Sequence, residues 1–317
     1  DFITYARKIK GHNFSAMVGV SAQQWRYENE TFVGLNSSTD FIYTMNAFAA
    51  NLDLSSTGST LSNHSMASVF ARVTYDYLGR YLFTANMRRD GSSRFGKDHR
   101  WGTFPAATLG FRLSKLIDAK WMDDWKVRLS WGRTGNQAID NNAQFGLYVA
   151  DYGLDRVTST AYDLLLQGSG TFPSGYRATQ FANPDLKWES AEQFNIGTDF
   201  TLLNGSVYGS IDGYIKDVDD MLISPAFLGA LGEGGASWLN GPSLRNWGME
   251  FNLGYRRSFA NGFGFDINAN ADFFRNRVTY LPETTTGSYA HTSTENLVEA
   301  RQPYGSIAVS YTHLRAH

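Results

Sequence analysis

Six histidines, a cluster of aspartates and a glycine-rich run are the residues whose types could support chemistry, and none has the spacing that the chemistry needs. His12, His64, His99 and His291 show no metal-ligand spacing, and His313 and His317, four apart, both sit in the last nine residues, which read as non-native. No Gly-x-Ser-x-Gly run offers a serine on a strand-to-helix elbow. Asp217, Asp219 and Asp220 could give oxygens to a hard cation, but the glycine and distal glutamate of a calcium loop are lacking, so a solvated strand end fits better. Gly229, Gly232, Gly234 and Gly235 lack the strand-to-helix context of a phosphate cradle and read as loop. Zero cysteines exclude thiolate sites and disulfides. No enzyme activity and no cofactor are expected.

Binding chemistry is better served. Tyr148, Tyr152, Tyr162, Tyr176 and Trp238 lie in polar, glycine-rich stretches, where an aromatic face could stack on a sugar or meet a peptide at little cost in rotamer entropy. They are the candidate substrate contacts, although each could equally pack a loop or sit at a membrane interface. Around Arg88 to Gly96, Asp90-Gly91 is a good turn pair, and the arginines can fix a loop by bonding carbonyls and carboxylates. That run is expected to be structural.

The elements that would hold these residues are strands. Trp125, Val127, Leu129 and Trp131 alternate with Lys126, Arg128, Ser130 and Gly132 at the period of two that a strand imposes. Phe194 to Leu202 and Trp247 to Tyr255 repeat the pattern. About ten strands follow, near 2–9, 13–23, 67–78, 81–90, 103–114, 125–134, 188–202, 206–216, 245–257 and 263–278, with an eleventh expected from about Asn296. Most match the length needed to cross hydrocarbon at a tilt.

Alternation alone leaves a soluble sheet and a membrane barrel open. The connections favour the barrel, because short links at Lys10-Gly11-His12, Leu78-Gly79-Arg80, Leu203-Asn204-Gly205 and Phe259 to Gly262 alternate with long ones. The long ones are 24–66, 89–101, 134–187 and 217–243. Odd-numbered strands then run toward the periplasm, and turns lie on that side. Arg72, Thr74 and Asp76, like Asp266, Asn268, Asn270 and Asp272, make the second face too polar for a dry core. A wet lumen accepts them. Leu129, Phe200 and Phe251 are therefore expected to face lipid, and Arg128, Asp199 and Glu250 the lumen. An aromatic content of 15% with 31 glycines suits such a barrel, and a net charge of −2 gives no sign of a nucleic-acid partner.

Several runs resemble one family. Phe70 to Tyr81, Arg88 to Gly96, Trp101-Gly102-Thr103-Phe104-Pro105, Lys126 to Gln137, Asn183 to Glu189, Asn195 to Phe200 and Asn246-Trp247-Gly248-Met249-Glu250 are similar, in order, to the SusC/RagA family of TonB-dependent outer-membrane transporters of Bacteroidota. The resemblance implies part of a barrel of about twenty-two strands, all-β and antiparallel, left as an open sheet in this piece. It also implies an N-terminal plug, a SusD-like lipoprotein lid, coupling to the TonB complex, and an oligosaccharide or peptide as ligand. The bilayer is the implied surrounding, in the cell outer membrane. A siderophore or vitamin receptor of the same class is the nearest alternative. A structural or adhesive outer-membrane barrel and a soluble β-rich binding module are the others.

Residues 1–308 are expected to be barrel, and 309–317 to be a non-native tail. The opening at Asp1-Phe2-Ile3 already reads as strand, so the chain is taken as an internal fragment. Its exposed edges are expected near Phe2 to Ile9 and near the C-terminal end.

Overall fold

The computed structural model describes residues 1–35, 53, 58–151, 175–224 and 237–282. Ten long antiparallel strands make one sheet. In chain order the strands are β1 (Phe2–Ile9), β2 (His12–Thr31), β3 (Gly58–Tyr77), β4 (Tyr81–Ser92), β5 (Trp101–Arg112), β6 (Met122–Asn136), β7 (Leu147–Asp151), β8 (Gly175–Gln180), β9 (Glu189–Leu202), β10 (Val207–Asp219), β11 (Leu222–Ile223), β12 (Leu239–Asn240), β13 (Ser243–Ser258) and β14 (Gly264–Tyr280). The sheet runs β1-β2-β3-β4-β5-β6-β9-β10-β13-β14, with β7-β8 and β11-β12 as separate two-stranded pairs. β1 and β14 are its edges.

The tight turns are built on left-handed residues. Lys10 and Gly11, and Leu78 and Gly79, have positive φ in succession, as a two-residue hairpin with the right twist requires. Asp76 locks the second turn by accepting from the Gly79 N–H at 2.6 Å. Adjacent turns also interlock, since Leu78 donates its N–H to the Gly11 carbonyl at 2.9 Å.

Two expectations about the long connections need correction. β2 and β3 each run 20 residues, so much of 24–66 is paired strand rather than loop. The alternation that marks a strand fades there because both faces are wet, while the hydrogen-bonded ladder continues unbroken from His12↔Tyr77 to Thr31↔Gly58. The connections 134–187 and 217–243 likewise contain the pairs β7-β8 and β11-β12. The expected eleventh strand, Gly229 to Gly235 and the tail 309–317 lie outside the described residues.

Among the described residues no packed core lies within the wall. Buried apolar side chains, again among the described residues, are confined to two clusters at the end away from the tight turns: Phe95, Ile139, Ala143, Leu186 and Trp188 in one, Val218, Leu244 and Val278 in the other. We call that end the mouth.

Candidate functional site

Register divides the wall into two faces. Leu129, Ile196, Gly213, Met249 and Phe273 stand in one row across β6, β9, β10, β13 and β14, and Val127, Thr198, Ile211, Phe251 and Ala271 in the next row of the same face. Ile196 is 52% exposed and Phe273 68%, in a stripe far larger than a soluble monomer leaves bare. On β13 the apolar run Trp247, Met249, Phe251, Leu253 and Tyr255 is bounded by Arg245 and Arg257. Tilted by about 40°, that span covers about 30 Å, close to the apolar band of a membrane barrel. Towards the mouth the run ends in charge on strand after strand: Arg89, Arg133, Glu192, Asp217, Arg245 and then Arg275. The end point drifts toward the turns between β4 and β14, as a level boundary on tilted strands demands.

The opposite face is polar and cross-linked. Arg128 on β6 donates from Nε to Asp199 at 2.8 Å and from Nη2 to Asp199 at 3.0 Å and Asp212 at 3.1 Å, tying three strands together. Lys126 adds a 3.5 Å ion pair to Asp199. Gly197 stands between Arg128 and Asp212 in the same row, and a Cβ there would collide with the Asp212 carboxylate, so the glycine opens the gap that the bridge crosses. Elsewhere on this face large side chains lie flat over glycines: Tyr208 over Gly254, Tyr214 against Gly248, Phe70 over Gly19. Shallow polar hollows remain between them, lined by Asp199, Tyr208 and Asn252 in one case and by Asp212, Glu250 and Asp272 in another.

At the mouth, segments distant in sequence are knotted. Phe95 and Leu186 are fully buried, with the Trp188 ring 5.1 Å from that of Phe95 and 5.4 Å from that of Phe104. Trp188 donates its indole N–H to the Arg100 carbonyl at 2.9 Å. Gly96 runs so close to the Pro184 carbonyl that no side chain fits. Arg88 holds Asp90 at 2.7 Å and Ser68 at 2.9 Å, while Arg94 reaches across to Asn141 at 2.7 Å and the Gln137 carbonyl at 2.8 Å. Arg88, Asp90 and Arg94 therefore fix the loop, while Arg89, on the other face, lies 5.6 Å over the Trp101 ring.

The aromatic candidates separate. Trp238 packs against the buried cluster and donates to Asp140 at 3.2 Å, so it braces the knot. Tyr148 on β7 is 68% exposed, and Tyr176 on β8 pairs through its backbone with Ala150. Tyr152 and Tyr162 lie outside the described residues. Of the three aspartates, Asp217 accepts twice from Arg245, at 2.6 and 2.9 Å, and Asp220 pairs with Lys187 at 2.8 Å. Among the described residues no group of three or more His, Asp or Glu is placed to hold a metal. Sequence reasoning missed the knot. Its signal was Gly96 and the Asn183 to Glu189 run, whose residue types are too particular for free loop.

Comparison with known proteins agrees with this geometry. A family described as "TonB dependent receptor-like, beta-barrel" matches residues 3–314. TonB-dependent receptor SusC of Bacteroides thetaiotaomicron is 35% identical over 285 residues, covering 88% of this chain and 27% of that protein. The chain thus spans little more than a quarter of that relative. Among solved structures, the RagAB peptide importer in its closed-closed state superposes with a TM-score of 0.73 at 21% identity, over 89% of this chain and 31% of that one. The siderophore receptor PirA from Acinetobacter baumannii gives 0.50 at 13% identity, over 90% and 36%.

Proposed function

The chain belongs to the TonB-dependent receptor β-barrel family, and from that premise we propose that it forms part of the wall and mouth of an outer-membrane importer of glycans or peptides. The observation that carries the reading is the two-faced wall: an exposed apolar face bounded by charge on one side, ion-paired polar rows on the other. Apolar rows toward lipid cost nothing to expose, and polar rows toward a wet lumen keep their hydration. SusC and the RagAB peptide importer are the relatives that point to glycans or peptides rather than metal chelates. In this reading a SusD-like lipoprotein closes the mouth over the ligand. The TonB complex then acts on a plug inside the barrel to let the ligand through.

The test is uptake by cells carrying the full-length protein, with labelled oligosaccharides and labelled peptides offered with and without a protonophore. Energy-dependent entry of either class, together with co-purification of a lipoprotein, is expected. Entry of a ferric siderophore instead would assign the chain to the other branch of the class. Binding to a surface with no uptake of any probe would favour an adhesin.

A further inference from the structure

Beyond the bilayer span, β2 and β3 continue toward the mouth as a paired ribbon, and the ribbon has a built aromatic surface. Trp25 stands directly opposite His64, and the two rings stack at 4.6 Å with 12° between their planes. Two residues further on, Tyr27 stands opposite Ser62 on the same side of the ribbon. Which side that is follows from contacts. Met66, two residues from His64, packs against the buried cluster of the knot and accepts from Gln137 at 3.4 Å, and Ser62 accepts from Asn141. The stack therefore lies on the side of the ribbon where the knot sits, the side continuous with the polar face of the wall. Trp25 keeps 40% of its surface open and Tyr27 61%.

The surroundings decide the ligand chemistry. On this face the rings are bordered on the ribbon by Gln23 and Asn29 of β2 and by Thr60 and Ser62 of β3, all uncharged hydrogen-bonding groups, while Arg94, whose charge reaches His64, is already held by Asn141 and the Gln137 carbonyl. The charges of the outer ribbon, Arg26, Glu28 and Glu30, stand on the opposite face, where Arg26 and Glu28 pair with each other. Burial and the nearby Arg94 charge hold the His64 imidazole below its usual pKa, so at neutral pH the stack is uncharged. A flat ring pair pre-set by its own stacking, rimmed by amides and hydroxyls, matches a pyranose. The ring's C–H face lies on the indole while its equatorial hydroxyls reach the rim.

We propose that Trp25, backed by His64 and extended by Tyr27, is a stacking subsite for a neutral oligosaccharide at the mouth. The inference rests on the importer reading above and narrows its ligand to the glycan class.

The experiment uses the full-length receptor co-purified with its lipoprotein in detergent. It is titrated calorimetrically with neutral hexasaccharides of β-1,4-glucan, α-1,4-glucan, β-1,4-mannan and β-1,4-xylan, and separately with an uncharged peptide of similar mass. The expected result is binding of at least one hexasaccharide, weakened about tenfold by Trp25→Ala, less by Tyr27→Ala, and restored by Trp25→Phe. Unchanged heat-modifiable gel migration of each variant would show that the barrel is intact. Equal sugar affinity in wild type and Trp25→Ala overturns the subsite and leaves the importer reading standing. So does binding of the peptide alone. If no probe binds and cells take none up, both fall together.

Discussion

The wall and the mouth of this chain are stabilised by opposite means. The wall leaves its large apolar residues open, Ile196 at 52% and Met249 at 46%, and buries almost nothing between its strands. Its coherence comes from the backbone ladder and from ion pairs such as Arg128 with Asp199 and Asp212. At the mouth, Phe95, Leu186 and Trp188 make a small dry core of the ordinary kind. The difference teaches that the wall takes its stability from what surrounds it, whereas the knot carries its own.

The sharpest way to break that comparison is to take the surroundings away. Ten strands alone leave β1 and β14 with unpaired ladder groups, and in hydrocarbon each such group costs several kcal/mol. Expressed by itself, the chain should aggregate or demand detergent, and give no discrete conductance in liposomes. A monodisperse, detergent-free preparation by size-exclusion chromatography would sink the two-faced reading.

Within the full-length protein, Trp188→Ala should cost about 3–5 kcal/mol locally, as aromatic truncations in a packed core do. Limited proteolysis should then cut the mouth segments while the barrel keeps its gel mobility. Loss of the whole barrel would mean that knot and wall are one cooperative unit. Leu129→Arg should destabilise by about 2–4 kcal/mol if the residue sits at the bilayer midplane, with Ser130→Arg, on the other face, much milder. Equal effects in a membrane folding assay would put both faces in one solvent. Cysteines at Leu129, Phe200 and Phe251 should take a lipid-phase label, and those at Arg128, Asp199 and Glu250 an aqueous one. A smaller effect is expected from Arg128→Met, about 1–3 kcal/mol, because water can replace the guanidinium at Asp199, which is 42% exposed, but only partly at Asp212, which is 16% exposed. The loss should shrink as salt is raised, which denaturant titration at two ionic strengths would read.

How much was legible in the sequence follows the same division. All ten wall strands could be read because the bilayer forces a period of two on them, so Trp125 to Trp131 announce themselves without any knowledge of their neighbours. The outer halves of β2 and β3 could not be read, since nothing beyond the membrane demands alternation; Trp25 and His64 fall within the stretch 24–66 that the sequence presents as a long connection. The knot was invisible for another reason. Phe95, Ile139 and Leu186 are single apolar residues in polar stretches, and only the fold brings them together. For Trp238, a candidate ligand contact from sequence, position in a loop does not say which way the ring is covered, and the fold packs it against the knot.

If the polar face lines a passage, as the importer reading has it, its flat-lying side chains bear on the size of what can pass. Where Tyr208 lies over Gly254 and Phe70 over Gly19, the ring is folded onto the wall instead of standing into the passage. Each glycine is a recess that stores a side chain. In the importer reading, positions that lack a methyl group help to set the clearance along the bore, and a Gly-to-Ala exchange at Gly254 or Gly19 would displace the ring that lies over it. Such a wall can be re-gauged for a wider or narrower solute by the smallest change a side chain can undergo, without moving one strand.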